Sequence, residues 1–192
     1  MTENQDTREM IMGATIVEAG FEELDTLIAG LRPNELTILA ARPGVGKTAL
    51  ALTIAENIAV KDRQTVLFVS LAMAKLELSL RLICSRAKLD AHEMRSGSFS
   101  KEEQDRFVNV CGEWEKALLY VDDAPRSVAE ISTVAQRLKQ EKDLKLIVID
   151  HIGLIAPENP DEPREKQLTS IAQRLKELAE ELHVSVLCLT KG

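Results

Sequence analysis

The residues Ala41-Arg42-Pro43-Gly44-Val45-Gly46-Lys47-Thr48 carry the clearest chemistry in this sequence. They match the pattern G-x-x-x-x-G-K-[ST], with Ala41 in place of the first glycine. A loop of this kind closes around a phosphate. Its backbone N–H groups turn inward, and a helix opening near Lys47 adds the positive end of its dipole. Gly46 lets the backbone approach the anion closely. Lys47 is spaced to reach the β- and γ-phosphates of a nucleotide, and the Thr48 hydroxyl to ligate Mg2+. Ala41 is tolerated at its position if its φ is negative.

A phosphate loop needs a second carboxylate for its metal. Asp150 closes the apolar run Leu146-Ile147-Val148-Ile149. An aspartate at the carboxyl end of a buried strand beside the loop is placed to support Mg2+ through water.

These residues must be held by a scaffold, and the hydrophobic pattern supplies one. Residues 36–41 read as a buried strand, and 48–60 as a helix that is apolar nearly all round and so packed on more than one side. Residues 66–69, 117–121, 146–149 and 184–189 read as further strands. Residues 75–87 read as a helix. Ser100/Glu103 and Ser127/Glu130 have the spacing of capping boxes, each opening another. Leu168, Ile171, Leu175, Leu178 and Leu182 repeat every 3.6 residues along one long amphipathic helix, which follows a loop over 156–165 holding three prolines. Strands apolar throughout and separated by helices predict an α/β fold, a mostly parallel sheet with helices on both faces. Ligands of such sheets bind at the carboxyl ends of the strands, where the phosphate loop and Asp150 fall. Residues 1–12 read as a flexible tail before one domain over 13–192.

Composition narrows the function. The 192 residues are 45 % hydrophobic and 29 % charged, which excludes a disordered chain, a collagen and a membrane bundle. Asp and Glu outnumber Lys and Arg by 31 to 24, so the net charge is −7 and the chain is no general polyanion binder. Aromatics are 3 %, too few for a base-stacking platform. Cys84, Cys111 and Cys188 lack metal-ligand spacing and read as free thiols in a reducing compartment. No apolar run approaches the roughly 20 residues of a membrane span. The polar N-terminus has no signal-peptide core, so the expected location is cytoplasmic.

Beyond the loop, an ordered set of segments resembles the ATPase domain of replicative DnaB-type DNA helicases. It comprises Gly20-Phe21-Glu22-Glu23-Leu24-Asp25, Gly30-Leu31-Arg32-Pro33, Leu39-Ala40-Ala41-Arg42-Pro43, Val69-Ser70-Leu71-Ala72-Met73, Val121-Asp122-Asp123-Ala124-Pro125, Ile147-Val148-Ile149-Asp150-His151 and Leu175-Lys176-Glu177-Leu178-Ala179. The resemblance implies a RecA-like P-loop NTPase fold and a homo-oligomer, a hexameric ring in the family. It implies ATP hydrolysis with Mg2+ at subunit interfaces, coupled to translocation on single-stranded DNA among other replication proteins. Carried over, residues 41–48 bind the nucleotide, Lys47 and Asp150 are catalytic, and Thr48 and Asp150 hold the metal.

Four departures from that pattern bear on function. The family glutamate that orients and deprotonates water is Ala72 here, and alanine does neither. The position after the metal aspartate, an alternative site for such a base, is His151; Glu77, five residues past Ala72, reads as solvated. Lys191 stands at the family's polar sensor position. The family continues past Gly192 with an arginine finger and a DNA-contacting loop, so the chain is expected to be incomplete at its C-terminus relative to the family. The loop over 156–165, placed where ring helicases put a DNA-facing loop, sums to −3 and repels phosphate. Arg81, Arg86 and Lys88 read as a solvated helix face.

Two functions fit these residues. One is an ATP-driven helicase motor whose hydrolysis is weak because of Ala72. The other is an ATP-binding module that does not hydrolyse, acting in regulation or assembly on a replication partner. A recombinase- or clock-type ATPase fits less well, given Asp122-Asp123-Ala124-Pro125 and the Ala-Arg-Pro lead-in.

Overall fold

The computed structural model describes residues 16–90, 100–124 and 127–192. The expected tail over 1–12 and Pro125 of the Asp-Asp-Ala-Pro segment lie outside them. The elements run α1 (Glu22–Ile28), β1 (Leu36–Ala41), α2 (Lys47–Glu56) continuing as a π turn (Asn57–Lys61), and β2 (Thr65–Ser70). Next come α3 (Lys75–Ala87), α4 (Lys101–Trp114), β3 (Leu119–Asp122), α5 (Val128–Lys142) and β4 (Leu144–Asp150). A 3-10 turn (Ile152–Leu154), α6 (Arg164–Leu182) and β5 (Ser185–Lys191) complete the order.

The five strands form one parallel sheet in the order β1-β5-β4-β2-β3. Helices cover both faces, as the unbroken apolar strands predict, but β1, expected to be buried, is an edge strand with none of its residues buried and Ile38 45 % exposed. On one face α2 and α3 pack on Val66, Phe68, Leu146, Val148, Leu187 and Leu189. On the other, α5 and α6 pack on Leu67, Val69, Ile147, Ile149, Val186 and Cys188. Alternate residues of one strand thus serve opposite layers, which is why β2 is buried along its whole length. Helix α4 joins through α3, where Cys84 and Ala87 meet Val110.

Local signals set most boundaries. Both predicted capping boxes form: Ser100 and Ser127 each accept from the N–H of the glutamate three residues on, whose carboxylate accepts the cap's N–H. Helix α2 buries Ala51, Leu52, Ile54 and Ala55, as its all-round apolar surface requires. Helix α6 buries Ile171, Leu175, Leu178 and Leu182 along its predicted stripe. It begins at Arg164, four residues before Leu168, because the stripe marks the buried face and not the first turn. The third strand starts two residues later than its apolar run and takes in Asp122.

Helix α1 is the element that periodicity misses. It has seven residues, none of them buried. Asp25 holds it in place, its carboxylate accepting from the backbone N–H groups of Ala19, Gly20 and Phe21 at 2.6–3.0 Å. Gly20 has φ +81°, and a Cβ there would collide with Asn57 Nδ2. The Asn57 amide uses that gap to donate to Ala19 O. The 17–31 segment is thereby fastened to the π turn after α2.

Candidate nucleotide site

The parallel sheet brings the carboxyl ends of its strands to one rim, and the candidate residues gather there. Ala41 ends β1 and lies level with Lys191 at the end of β5. Asp150 ends β4 and lies level with Ser70 at the end of β2.

The loop over 42–46 leaves β1 and enters α2. Ala41 is strand backbone outside the left-handed region, so this position needs no glycine. Gly44 and Gly46 have φ of +82° and +96°, conformations that side chains resist. Gly46 is also the N-cap of α2. Arg42, Pro43, Gly44, Val45 and Gly46 line the turn, most of it exposed, leaving the loop open to a ligand. The Lys47 ammonium lies back across its own loop, donating to Ala41 O and Arg42 O.

Thr48 and Asp150 meet across the rim. The Thr48 hydroxyl donates to Asp150 Oδ2 at 2.7 Å, and Asp150 is 5 % exposed. A hydroxyl and a carboxylate side by side are an all-oxygen donor set, which suits a hard cation. No group of three or more His, Cys, Asp or Glu side chains that could hold a metal occurs among the described residues.

Ala72 sits on the exposed bend between β2 and α3. The Leu71 N–H donates to Asp150 O at 2.8 Å, and the Ser70 hydroxyl to Met73 O at 2.7 Å. Position 72 is therefore flanked by fixed backbone beside Asp150, but carries only a methyl group. Glu77 points elsewhere and pairs with Arg81.

His151 follows Asp150 through a cis peptide bond. Its Nδ1 accepts from Gly153 N–H at 3.1 Å, which assigns the proton of the neutral ring to Nε2. A Cβ on Gly153 would come within 2.9 Å of the ring. Burial holds the imidazole below its ordinary range; Asp150 opposes this, while Lys191, Lys47 and Arg164 add to it. With Nδ1 taken by the Gly153 N–H, the neutral ring has its other nitrogen protonated and offers no free nitrogen to accept a proton. Lys191 is exposed at the end of β5.

The loop after the 3-10 turn is fastened to α6. Gln167 donates to Pro160 O and Glu162 O at 3.0 and 2.8 Å, and Arg164 donates to Gln167 Oε1 and Gly153 O. Arg174 pairs with Glu158. These links were not legible in the sequence, because each depends on how the loop folds over the helix.

The basic stretch needs one correction. Arg81 is exposed and paired with Glu77, as a solvated face predicts. Arg86 is not free on that face: it bridges Glu56 and Glu113, each at 3.2 Å. Burial pushes the Glu56 carboxyl above its ordinary value, and Arg86 and Lys61 pull against it. Among the cysteines, Cys84 and Cys188 are buried, and burial pushes the Cys188 thiol up to about 12. Such a thiol is inert at neutral pH.

Residues 16–191 match the family model for the DnaB-like helicase C terminal domain. The chain is 37 % identical over 179 residues to the replicative DNA helicase DnaC of Bacillus subtilis, covering 92 % of this chain and 39 % of that protein. It is 38 % identical to the replicative DNA helicase DnaB of Geobacillus stearothermophilus over the same shares. The chain thus spans about two fifths of the length of these relatives. One solved ATPase domain superposes with a TM-score of 0.88 at 30 % identity, over 97 % of this chain and 67 % of that one. A DnaB-like replicative helicase, solved in a study of its interactions with primase, superposes at 0.87 and 28 % identity, over 100 % of this chain and 48 % of that one. The parallel sheet, the phosphate loop on its rim and these similarities agree, and the chain belongs to the DnaB-like helicase C-terminal domain family.

Proposed function

We propose that this chain is an ATP-binding motor domain of the replicative-helicase kind, which holds Mg2+ and ATP and hydrolyses the nucleotide weakly. The observation that carries this is the Thr48–Asp150 pair beside the open phosphate loop, with alanine at position 72. Residues 42–46, except Pro43, offer backbone N–H groups to the phosphates. Lys47 exchanges the carbonyls of Ala41 and Arg42 for β- and γ-phosphate oxygens. Thr48 and Asp150 would hold Mg2+, which when bound neutralises charge on the phosphates.

Proton removal from the attacking water is the missing step. A positioned base contributes about 10²–10⁴-fold in rate. Ala72 has no acceptor, and the acceptor nitrogen of His151 is taken by Gly153 N–H. The domain therefore binds a nucleotide it turns over slowly.

In the family role, copies of the domain form a ring on single-stranded DNA. The loop over 156–165 is acidic, and its fastening to α6 leaves it ill suited to grip phosphate. This favours a second function, an ATP-binding module that does not hydrolyse and associates with replication proteins or with copies of itself. No helix among the described residues is long and apolar enough to cross a membrane. Phosphate release from Mg-ATP, with and without single-stranded DNA, separates the two. Slow release abolished by Lys47→Ala supports the motor. ATP-dependent association without release supports the module. Rapid release by the unaltered chain overturns both.

A further inference from the structure

The bend that carries position 72 has a support that neither the phosphate loop nor Asp150 accounts for. Helix α3 begins immediately after it, and its N-cap is Ala74, which has no side chain to cap with. The Lys75 N–H donates instead to Asp123 Oδ2 at 2.7 Å. Asp123 is 48 positions away, just past the end of β3. A carboxylate from a neighbouring strand end thus does the work of the N-cap and meets the positive end of the α3 dipole.

The bend is therefore held at three points. Leu71 N–H is on Asp150 O, the Ser70 hydroxyl is on Met73 O, and Lys75 N–H is on Asp123. The first ties it to the metal aspartate. The second closes the bend on itself. The third ties the first turn of α3, on the far side of residue 72, to the end of β3, while Leu78 and Leu82 pack the rest of the helix on the sheet.

We infer that Asp123 is a positioning residue of the hydrolytic site, setting where a side chain at position 72 stands relative to Asp150. This rests on the function proposed above, in which position 72 is where the water-activating group belongs. A catalytic group displaced by about 1 Å can lose roughly 10²-fold in rate. Asp123 acts through the backbone of the bend and touches no reacting atom.

The test uses the full chain with Ala72→Glu, alone and combined with Asp123→Ala or Asp123→Asn. Asparagine keeps an acceptor oxygen for Lys75 N–H; alanine removes it. We expect Asp123→Ala to lower kcat for ATP by roughly tenfold to a hundredfold, to leave KM within about twofold, and Asp123→Asn to restore most of the loss. Equal kcat in Ala72→Glu with and without Asp123→Ala overturns the inference, as does a loss that appears in KM instead. Hydrogen exchange on the chain with alanine still at 72 gives an independent arm. Asp123→Ala should speed exchange at the first turn of α3 by about tenfold or more without doing so in β4, and unchanged exchange there overturns the inference. If Ala72→Glu shows no turnover, the functional proposal fails while the exchange arm still decides what Asp123 holds.

Discussion

The Thr48 hydroxyl donates to Asp150 Oδ2 at 2.7 Å, joining the first turn of α2 to the end of β4 across 102 positions of sequence. Without metal this bond satisfies a carboxylate that is 5 % exposed. Thr48→Val removes the donor and keeps the shape. It should destabilise the metal-free chain by about 1–3 kcal/mol, the cost of leaving a buried acceptor short of a partner. Urea unfolding measures this. Asp150→Asn should weaken ATP binding about tenfold in the presence of Mg2+ and hardly at all in its absence. Titration with a fluorescent ATP analogue, with and without the metal, distinguishes the two conditions.

Position 72 sets the rate in the proposed mechanism. Ala72→Glu should raise phosphate release from Mg-ATP by about 10²-fold or more, since a positioned base is worth 10²–10⁴. Lys47→Ala in the same background should return it to baseline. A glutamate variant no faster than its parent would show that more than a base is lacking.

Glu56 gives a pH signature in stability. Its carboxyl is raised above the ordinary value by burial, so the folded chain holds this proton more tightly than the unfolded chain does. The contribution of Glu56 to stability is therefore fully present below the unfolded value. It declines as pH rises through the interval between the unfolded and folded values, where the folded chain must accept a buried charge. Glu56→Gln has no charge to bury. Its urea midpoint minus that of the unaltered chain should grow from about pH 4 to about pH 7. A difference that shrinks over that range would mean that pairing with Arg86 outweighs burial.

The core layer under α6 can be probed directly. Leu175 is fully buried between α6 and the sheet, whereas Val108 on α4 is 65 % exposed. Leu175→Ala should cost about 2–5 kcal/mol through lost burial and the cavity left behind. Val108→Ala should stay within about 0.5 kcal/mol. Thermal unfolding of both variants side by side checks the contrast.

Short-range physics is written in the sequence, and that part was legible there. The phosphate loop needs glycines at left-handed backbone positions, and Gly44 and Gly46 occupy them. The two capping boxes act over three residues, and the stripe along α6 repeats every turn, so both were readable before any tertiary contact was known. The unbroken apolar strands announced a sheet covered on both sides, because a strand buried on both faces has no polar alternation. Helix α1 escaped because a seven-residue surface helix without a buried face leaves no periodic trace.

What only the tertiary structure decided lies between distant segments. Strand order and register place Asp150 beside Ser70, and the pairing of Thr48 with Asp150 follows from how α2 crosses the sheet. The same packing puts Asp123 on the first turn of α3, sets Arg86 between Glu56 and Glu113, and turns His151 into a donor through Gly153. A residue's type shows what bond it can make. Which partner it meets depends on sheet register and helix packing, which are collective outcomes of burying the apolar faces together, so the phosphate loop was readable from eight residues and the surroundings of position 72 needed the whole fold.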